Sequence, residues 1–165
     1  MNTQRRIEYD VAYMTMAYGL RPLSYAIRSK VGCLIVSKND QIIAQGYNGM
    51  PTGFPNVCEH TNEEGELVTN DEVLHAESNA IAKCAKFCVS TEGATAYVTL
   101  SPCLQCSKLL LQAGIKRVVF AEEYRDLSPL QFLLKGNITV QKLDTITKEL
   151  KTYFIDDRSS VLSSY

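Results

Sequence analysis

The sequence lacks an excess of positive charge. Its 17 Lys and Arg residues are balanced by 18 Asp and Glu residues, and the formal net charge is -1. Proteins that bind a nucleic-acid backbone carry an excess of basic residues or a cluster of them on one face. Neither feature stands out in this sequence. The charge balance therefore argues against a nucleic-acid polymer as partner and favours a small molecule.

Long apolar runs are also missing. No stretch approaches the roughly eighteen consecutive apolar residues of a membrane span, and charged side chains interrupt the first twenty residues, where a secretory signal would be apolar. We therefore expect no membrane association and a cytoplasmic protein, or one of a host's cytoplasm if the source is viral. In a reducing compartment, the six cysteines suit metal binding or chemistry better than disulfides.

Repeats and low-complexity tracts are absent, and 165 residues fit one domain. We predict a single domain over 1–165, with a core over about 5–143 and a polar tail over 144–165 that is partly helical at best. Helical spacing predicts a helix over 5–20. Two β-rich runs, 31–37 and 41–47, predict a hairpin. The irregular stretch from 48 to about 71 is long enough to suggest a functional loop.

Beyond this loop, helical and strand patterns alternate. The expected helices lie near 75–88, 102–113 and 128–135, and the expected strands near 94–100, 116–120 and 138–141. Alternation of this kind predicts parallel strands joined by helical crossovers. We therefore expect a mixed sheet with helices on both faces.

The pair Cys103 and Cys106 follows one of these strands. Ser101 is a favourable N-cap and Pro102 suits a first helical position, so a helix is expected to begin here. Two cysteines three residues apart on its first turns share one face, and the helix N-terminus favours thiolate over thiol. Three interpretations stay open for the pair: half of a zinc site, a thioredoxin-like redox pair, or two cysteines packed as small hydrophobes.

His75 and Glu77 extend the pattern. Considered alone, a histidine such as His75 is more often a core residue than a ligand. A glutamate such as Glu77 is more often a solvated residue of a helix. Followed by Pro-Cys-x-x-Cys, the His-x-Glu pair forms the signature of zinc deaminases that act on nucleobases. One imidazole and two thiolates leave the fourth tetrahedral position of zinc open for water, whose pKa falls to about 7. A nearby glutamate then moves the protons, whereas a structural zinc would want a fourth ligand.

This hypothesis sets a condition on the helix. Residues two apart inside a helix point to nearly opposite sides, so His75 and Glu77 approach one metal only if the helix begins at about His75. The stretch Thr69-Asn-Asp-Glu72 looks like a capping box that would start the helix earlier. We predict the later start because the zinc site requires it.

The chain resembles the cytidine deaminase superfamily and, within it, the deoxycytidylate (dCMP) deaminases. The matching segments are Lys30-Val-Gly32, Gly46-Tyr-Asn-Gly-Met-Pro51, His75-Ala-Glu-Ser-Asn-Ala-Ile81 and Tyr97-Val-Thr-Leu-Ser-Pro-Cys103, and the likeness spans roughly 25–143. The metal motif is typical of the whole superfamily. The Gly-Tyr-Asn-Gly-x-Pro loop is typical of its dCMP branch. The resemblance implies a three-layer α/β/α fold with a mixed five-stranded sheet. It also implies hydrolytic deamination of dCMP to dUMP with release of ammonia, which supplies thymidylate synthesis.

The resemblance implies roles for individual residues. One catalytic zinc per chain would be held by His75, Cys103 and Cys106, with Glu77 as the proton carrier. The expected substrate contacts are Asn48 for the sugar, the backbone of Ala76 and Ser101 for the pyrimidine edge, Tyr124 for the base, and Arg28 or Arg125 for the 5′-phosphate. For each arginine, a solvated surface position is as plausible.

Some family members hold an additional zinc through cysteines in two other regions. Here the segment 24–28 has no cysteine, and the loop after Gly-x-Pro offers only Cys58 and His60. Helix packing is the better interpretation of Cys84 and Cys88. We therefore predict one zinc per chain.

Our expectations about regulation and assembly rest on the resemblance alone. The family is often hexameric, activated by dCTP and inhibited by dTTP, so we expect a homo-oligomer, with Mg²⁺ beside any nucleoside triphosphate effector. Two alternatives stay open: a related deaminase of another cytosine nucleotide, a nucleoside, a free base or tRNA adenosine, and a non-catalytic zinc module. Glu77 argues against the module, since a structural site has no use for it.

Overall fold

The computed structural model describes residues 2–156 and 161–164. The helices in this part of the chain are α1 (Thr3–Leu20), α2 (Ala76–Lys86), α3 (Leu104–Gln112) and α4 (Ser128–Lys135), with a short 3-10 turn at Arg21–Leu23. The strands are β1 (Gly32–Val36), β2 (Ile42–Tyr47), β3 (Glu59–Thr61), β4 (Leu67–Thr69), β5 (Thr95–Leu100), β6 (Arg117–Glu122), β7 (Thr139–Leu143), β8 (Leu150–Asp156) and β9 (Val161–Ser164).

The main sheet is mixed, and its strand order is β2-β1-β5-β6-β7-β8-β9. Strands β5, β6 and β7 are parallel, and the other neighbours are antiparallel, including the predicted hairpin of β1 and β2. The predicted fold class is confirmed. The predicted strand count was wrong, because the described sheet has seven strands and not five.

The two additional strands come from the tail, which we expected to be partly helical at best. Strands β8 and β9 extend the sheet beyond β7. A strand near the edge of a sheet can bury a single side chain and leave its neighbours polar, so its sequence shows little apolar alternation. In β8 the buried ring of Tyr153 packs against Phe120 of β6, with 5.6 Å between the ring centroids.

Helices cover both faces of the sheet. Helix α1 lies on one face, over Leu34 and Val36 of β1, while Cys33 and Ile35 of the same strand face the core beneath the other helices. Alternate side chains of a strand point to opposite faces, so a strand covered on both sides is apolar throughout. None of the described helices combines the length and apolarity that crossing a membrane requires.

A charged cluster lies beneath α1. The carboxylate of Asp10 is fully buried and accepts two hydrogen bonds from Arg117, at 2.8 and 2.6 Å. The Tyr97 hydroxyl donates to the same carboxylate at 2.6 Å, and Arg6 Nε donates at 3.1 Å. These contacts join α1 to the central strands β5 and β6.

The long stretch predicted as irregular contains a small hairpin. Strands β3 and β4 pair antiparallel across residues 59–69, apart from the main sheet. The turn between them includes Gly65, whose φ of 81° lies in the left-handed region that glycine adopts readily. The hairpin brings Glu59 and Thr69 to the cavity described below.

Candidate active site

Helix α2 begins at Ala76, and His75 is its N-cap residue with an extended backbone (φ -72°, ψ 158°). The predicted late start is therefore confirmed, and Thr69 lies in β4 and not at a helix start. The residue before His75 is fixed by two backbone hydrogen bonds between Leu74 and Gly49, at 2.9 and 3.0 Å. Because His75 precedes the helix, its ring and the side chain of Glu77 line the same cavity.

Helix α3 begins later than predicted. Its N-cap is Cys103, so the prediction of Ser101 as N-cap was wrong. Ser101 continues the strand pairing instead, since its N–H donates to Glu122 O at 2.8 Å and its Oγ accepts a hydrogen bond from the N–H of Tyr124 at 2.8 Å. These contacts hold the chain extended through Ser101. Cys103 and Cys106 nevertheless lie together at the helix start, as the spacing predicted.

Three side chains meet between the starts of α2 and α3. His75 Nδ1 lies 3.5 Å from Cys103 Sγ and 3.4 Å from Cys106 Sγ. In a tetrahedral zinc site with Zn–N of about 2.0 Å and Zn–S of about 2.3 Å, the N···S edge is about 3.5 Å. Among the described residues this group has three members, so a zinc ion held by them would have a fourth tetrahedral position for water. The donor set and its spacing fit a catalytic zinc.

The three side chains of the trio are coupled to one another through hydrogen bonds, which shift their pKa values. The hydrogen bond from the Cys106 thiol, together with that from His75, lowers the pKa of Cys103 to about 3. The same contact with Cys103 raises the pKa of Cys106. Hydrogen bonding to Cys103 also raises the pKa of His75. Glu77 is only 4% exposed, and its burial raises the pKa of its carboxyl group.

These groups line a cavity of about 320 Å³, at the lower end of the size range of ligand pockets. Nine of the ten residues singled out from the sequence line it: Arg28, Asn48, His75, Ala76, Glu77, Ser101, Cys103, Tyr124 and Arg125. The tenth, Cys106, is buried behind the cavity wall in the metal trio. The structure thus brings together segments that lie up to about a hundred residues apart in the chain.

The side chain of Asn48 supports one wall of the cavity. Its Oδ1 accepts a hydrogen bond from the N–H of Val31 at 2.8 Å, and its Nδ2 donates to Ser29 O at 2.8 Å. Ser29 and Val31 themselves line the cavity. Asn48 therefore shapes this wall, and its predicted contact with a sugar stays a prediction.

Both candidate phosphate-binding arginines lie at the cavity. Arg28 donates from Nη1 to Thr69 Oγ1 at 3.1 Å, which directs its guanidinium toward the β3–β4 hairpin. Arg125 stacks on the ring of Tyr124, with its Cζ 5.7 Å from the ring centroid. Two cations at one cavity suit an anionic ligand group.

Glu59 is the main cavity residue that the sequence did not reveal. It is buried, and its Oε1 accepts hydrogen bonds from the N–H groups of Ile27 and Arg28 at 3.0 and 3.2 Å. The other unpredicted lining residues are Ser29, Val31, Thr69, Val73 and Leu100. A single glutamate in an irregular stretch has no periodicity to mark it. The short β-forming runs on either side of Gly65 could have indicated the hairpin that carries it.

Gly46 determines how closely β2 approaches α2. A Cβ at this position would clash with Ala76 O and lie 2.8 Å from Ala80 N. We expect Gly46→Ala to lower the free energy of unfolding by about 1–3 kcal/mol, the usual cost of overpacking, and to reduce activity by displacing the first turn of α2. Urea unfolding monitored by circular dichroism measures the stability change. Gly49→Ala is the stability control, since nothing lies within 4 Å of its Cβ; equal losses in the two variants would contradict the explanation.

Comparisons with known proteins agree with this geometry. Residues 7–122 match the family model described as the cytidine and deoxycytidylate deaminase zinc-binding region. ComE operon protein 2 of Bacillus subtilis (strain 168) is 40% identical over 152 residues, which cover 88% of this chain and 78% of that protein. The deoxycytidylate deaminase of Enterobacteria phage T4 is 33% identical, and the match covers 70% of this chain and 79% of that protein. The structure of the dCMP deaminase from cyanophage S-TIM5, in complex with dCMP and dUMP, has a TM-score of 0.76 and 40% identity, covering 87% of this chain and 99% of that chain.

Proposed function

The chain belongs to the family of cytidine and deoxycytidylate deaminases, and we propose that it catalyses the hydrolytic deamination of dCMP to dUMP with release of ammonia. The observation that carries this proposal is the trio of His75, Cys103 and Cys106 at one cavity with the buried carboxyl group of Glu77. The similar phage protein was solved with dCMP and dUMP bound. The product would supply thymidylate synthesis.

His75 Nδ1, Cys103 Sγ and Cys106 Sγ would hold the zinc ion. When bound, zinc supplies activation of the hydrolytic water. Glu77 accepts a proton from this water at a carboxylate oxygen and returns it to the pyrimidine ring. It then delivers the second proton to the departing amino group, so that water and dCMP become dUMP and ammonia. Its burial excludes bulk water from these transfers.

The remaining cavity residues would bind the nucleotide. Asn48 is the candidate for the sugar, and the backbone of Ala76 and Ser101 for the pyrimidine edge. Tyr124 would pack beside the base. The 5′-phosphate would be bound by Arg28 or Arg125, both of which line the cavity.

A deamination assay across substrates tests the proposal. We expect ammonia release from dCMP to exceed that from CMP, dCTP and deoxycytidine, with dCTP and dTTP tested as effectors. Release from cytidine, a free base or tRNA adenosine but not from dCMP would assign the chain to a related deaminase. Zinc-loaded protein that deaminates none of these substrates would support the structural zinc module.

We propose one zinc per chain. Cys103→Ala is expected to lose most of its zinc after dialysis, because only two of the three protein ligands remain in the variant. Mass spectrometry of the metal content measures the ratio, and Cys88→Ala is the control because Cys88 is exposed and outside the trio. Two zinc ions per active wild-type chain, or full retention in Cys103→Ala, would contradict the single site.

We also propose a cytoplasmic homo-oligomer, a hexamer by family resemblance, in the host's cytoplasm if the source is viral. Light scattering with size-exclusion chromatography measures the assembly. The described residues form one cluster of three or more His, Cys, Asp or Glu ligands. Any Mg²⁺ is proposed only as a companion of a nucleoside triphosphate effector such as dCTP or dTTP.

A further inference from the structure

The segment Glu122–Arg125 begins at the last residue of β6 and forms one side of the cavity through Tyr124 and Arg125. Ser101 anchors it from the cavity side, through the two hydrogen bonds to Glu122 O and the N–H of Tyr124. The residue between these two contacts is Glu123. Its side chain makes the second anchor of the segment.

The second anchor comes from the tail. The hydroxyl of Tyr153 in β8 donates to Glu123 Oε1 at 2.5 Å, and Lys142 Nζ lies 3.2 Å from the same oxygen. These two contacts hold the pKa of Glu123 below its ordinary value, so the carboxylate is charged at neutral pH. The ring of Tyr153 is 5% exposed and packs on Phe120, which fixes the position of the hydroxyl.

We propose that Tyr153 is a positioning residue for the nucleotide: through Glu123 it fixes the segment that places Tyr124 and Arg125 at the cavity. The inference rests on the proposed function. The match to the family model covers residues 7–122, so Glu123 and Tyr153 lie outside the matched residues. The metal trio and Glu77 belong to the starts of α2 and α3 and do not depend on β8. Loss of the anchor therefore weakens nucleotide binding more than it slows the chemistry.

Tyr153→Phe tests the inference, because the ring stays packed and only the hydroxyl is removed. Hydrogen bonds to charged groups are among the stronger ones in proteins. We expect the KM for dCMP and the Kd for dUMP to rise about tenfold, which corresponds to about 1.4 kcal/mol. The kcat should stay within about twofold. Steady-state kinetics and calorimetric titration with dUMP measure these quantities.

Tyr13→Phe is the matched control. It also removes a hydroxyl from a buried ring, one that lies on α1 and donates to Asp40 O at 2.8 Å. We expect Tyr13→Phe to lower the Tm without changing KM. Equal KM values in wild type and Tyr153→Phe would overturn the inference, and so would a fall in kcat as large as the rise in KM.

Glu123→Ala removes the same bond from the exposed side, without altering the core. We expect a rise in KM at least as large as that of Tyr153→Phe, because Glu123→Ala also removes the contact with Lys142. The double variant with Tyr153→Phe should match Glu123→Ala alone, because the Tyr153 hydroxyl then has no carboxylate to bind. Additive effects on KM would contradict the shared anchor. A wild-type protein that deaminates another substrate and not dCMP would instead refute the proposed function. This outcome is distinct from failure of the Tyr153 inference, which would show only in the KM and kcat values of the variants.

Discussion

Glu77→Gln is expected to abolish measurable deamination of dCMP while the protein keeps its zinc. The amide has nearly the same shape as the carboxylate but cannot accept the proton of the hydrolytic water. Loss of a positioned acid–base group typically lowers the rate by about 10² to 10⁴-fold. Glu77 is not one of the three clustered ligands, so the metal content should not change. Ammonia release measures kcat, and mass spectrometry measures zinc.

Glu72→Gln is the control for this prediction, since the same chemical change occurs on an exposed residue outside the cavity. It should retain wild-type kcat. If Glu77→Gln kept kcat within tenfold of wild type, Glu77 would not be the proton carrier. If the variant lost its zinc, the residue would have a structural role at the metal.

Asp10→Ala is expected to cause the largest loss of stability among the substitutions considered. The change leaves Arg117, which is largely buried, without the carboxylate that it binds through Nη1 and Nη2. Breaking a buried ion pair from one side costs about 3–5 kcal/mol. Urea unfolding measures the free-energy change. Asp71→Ala on the surface is the control, and a loss below about 1 kcal/mol for Asp10→Ala would contradict the expectation.

The same cluster gives stability a pH dependence. Burial alone would raise the pKa of Asp10, but the hydrogen bonds and charges of Arg117, with the Tyr97 hydroxyl, lower it below its ordinary value of 3.8. A lowered folded-state pKa means that the contribution is present above the unfolded value and is lost as the pH falls through the folded value. We expect the wild type to lose more unfolding free energy below about pH 4 than Asp10→Asn does.

The sequence predicted the clustering of the candidate metal ligands better than it predicted the rest of the cavity wall. The spacing of His75, Glu77 and the two cysteines has a chemical meaning, and the demand that one metal reach them also predicted the helix start correctly. Glu59 has no such constraint, because it acts through backbone contacts that only the folded hairpin creates. The roles assigned to Asn48 and the two arginines stay predictions, although the structure places all three at the cavity.

Two errors about local structure share a cause. Ser101 has the composition of a helix cap, but pairing with β6 holds it in an extended conformation. The tail is polar, yet β8 joins the sheet and buries Tyr153. In both places, contacts with distant residues outweigh local preference. Windows of sequence read in isolation contain no information about such partners.

The groups proposed for the reaction and the residues proposed to select the ligand lie in different kinds of segment. This difference affects how such a protein evolves. The four groups proposed for the reaction lie at the starts of two packed helices, whose buried residues Ala76, Ala80 and Leu110 belong to the core. Much of the wall that would select the ligand lies in connecting segments, around Arg28, Asn48 and Tyr124. Connecting segments accept substitutions more freely than the elements they join. Substrate preference can therefore drift within a lineage while the reaction itself is inherited unchanged.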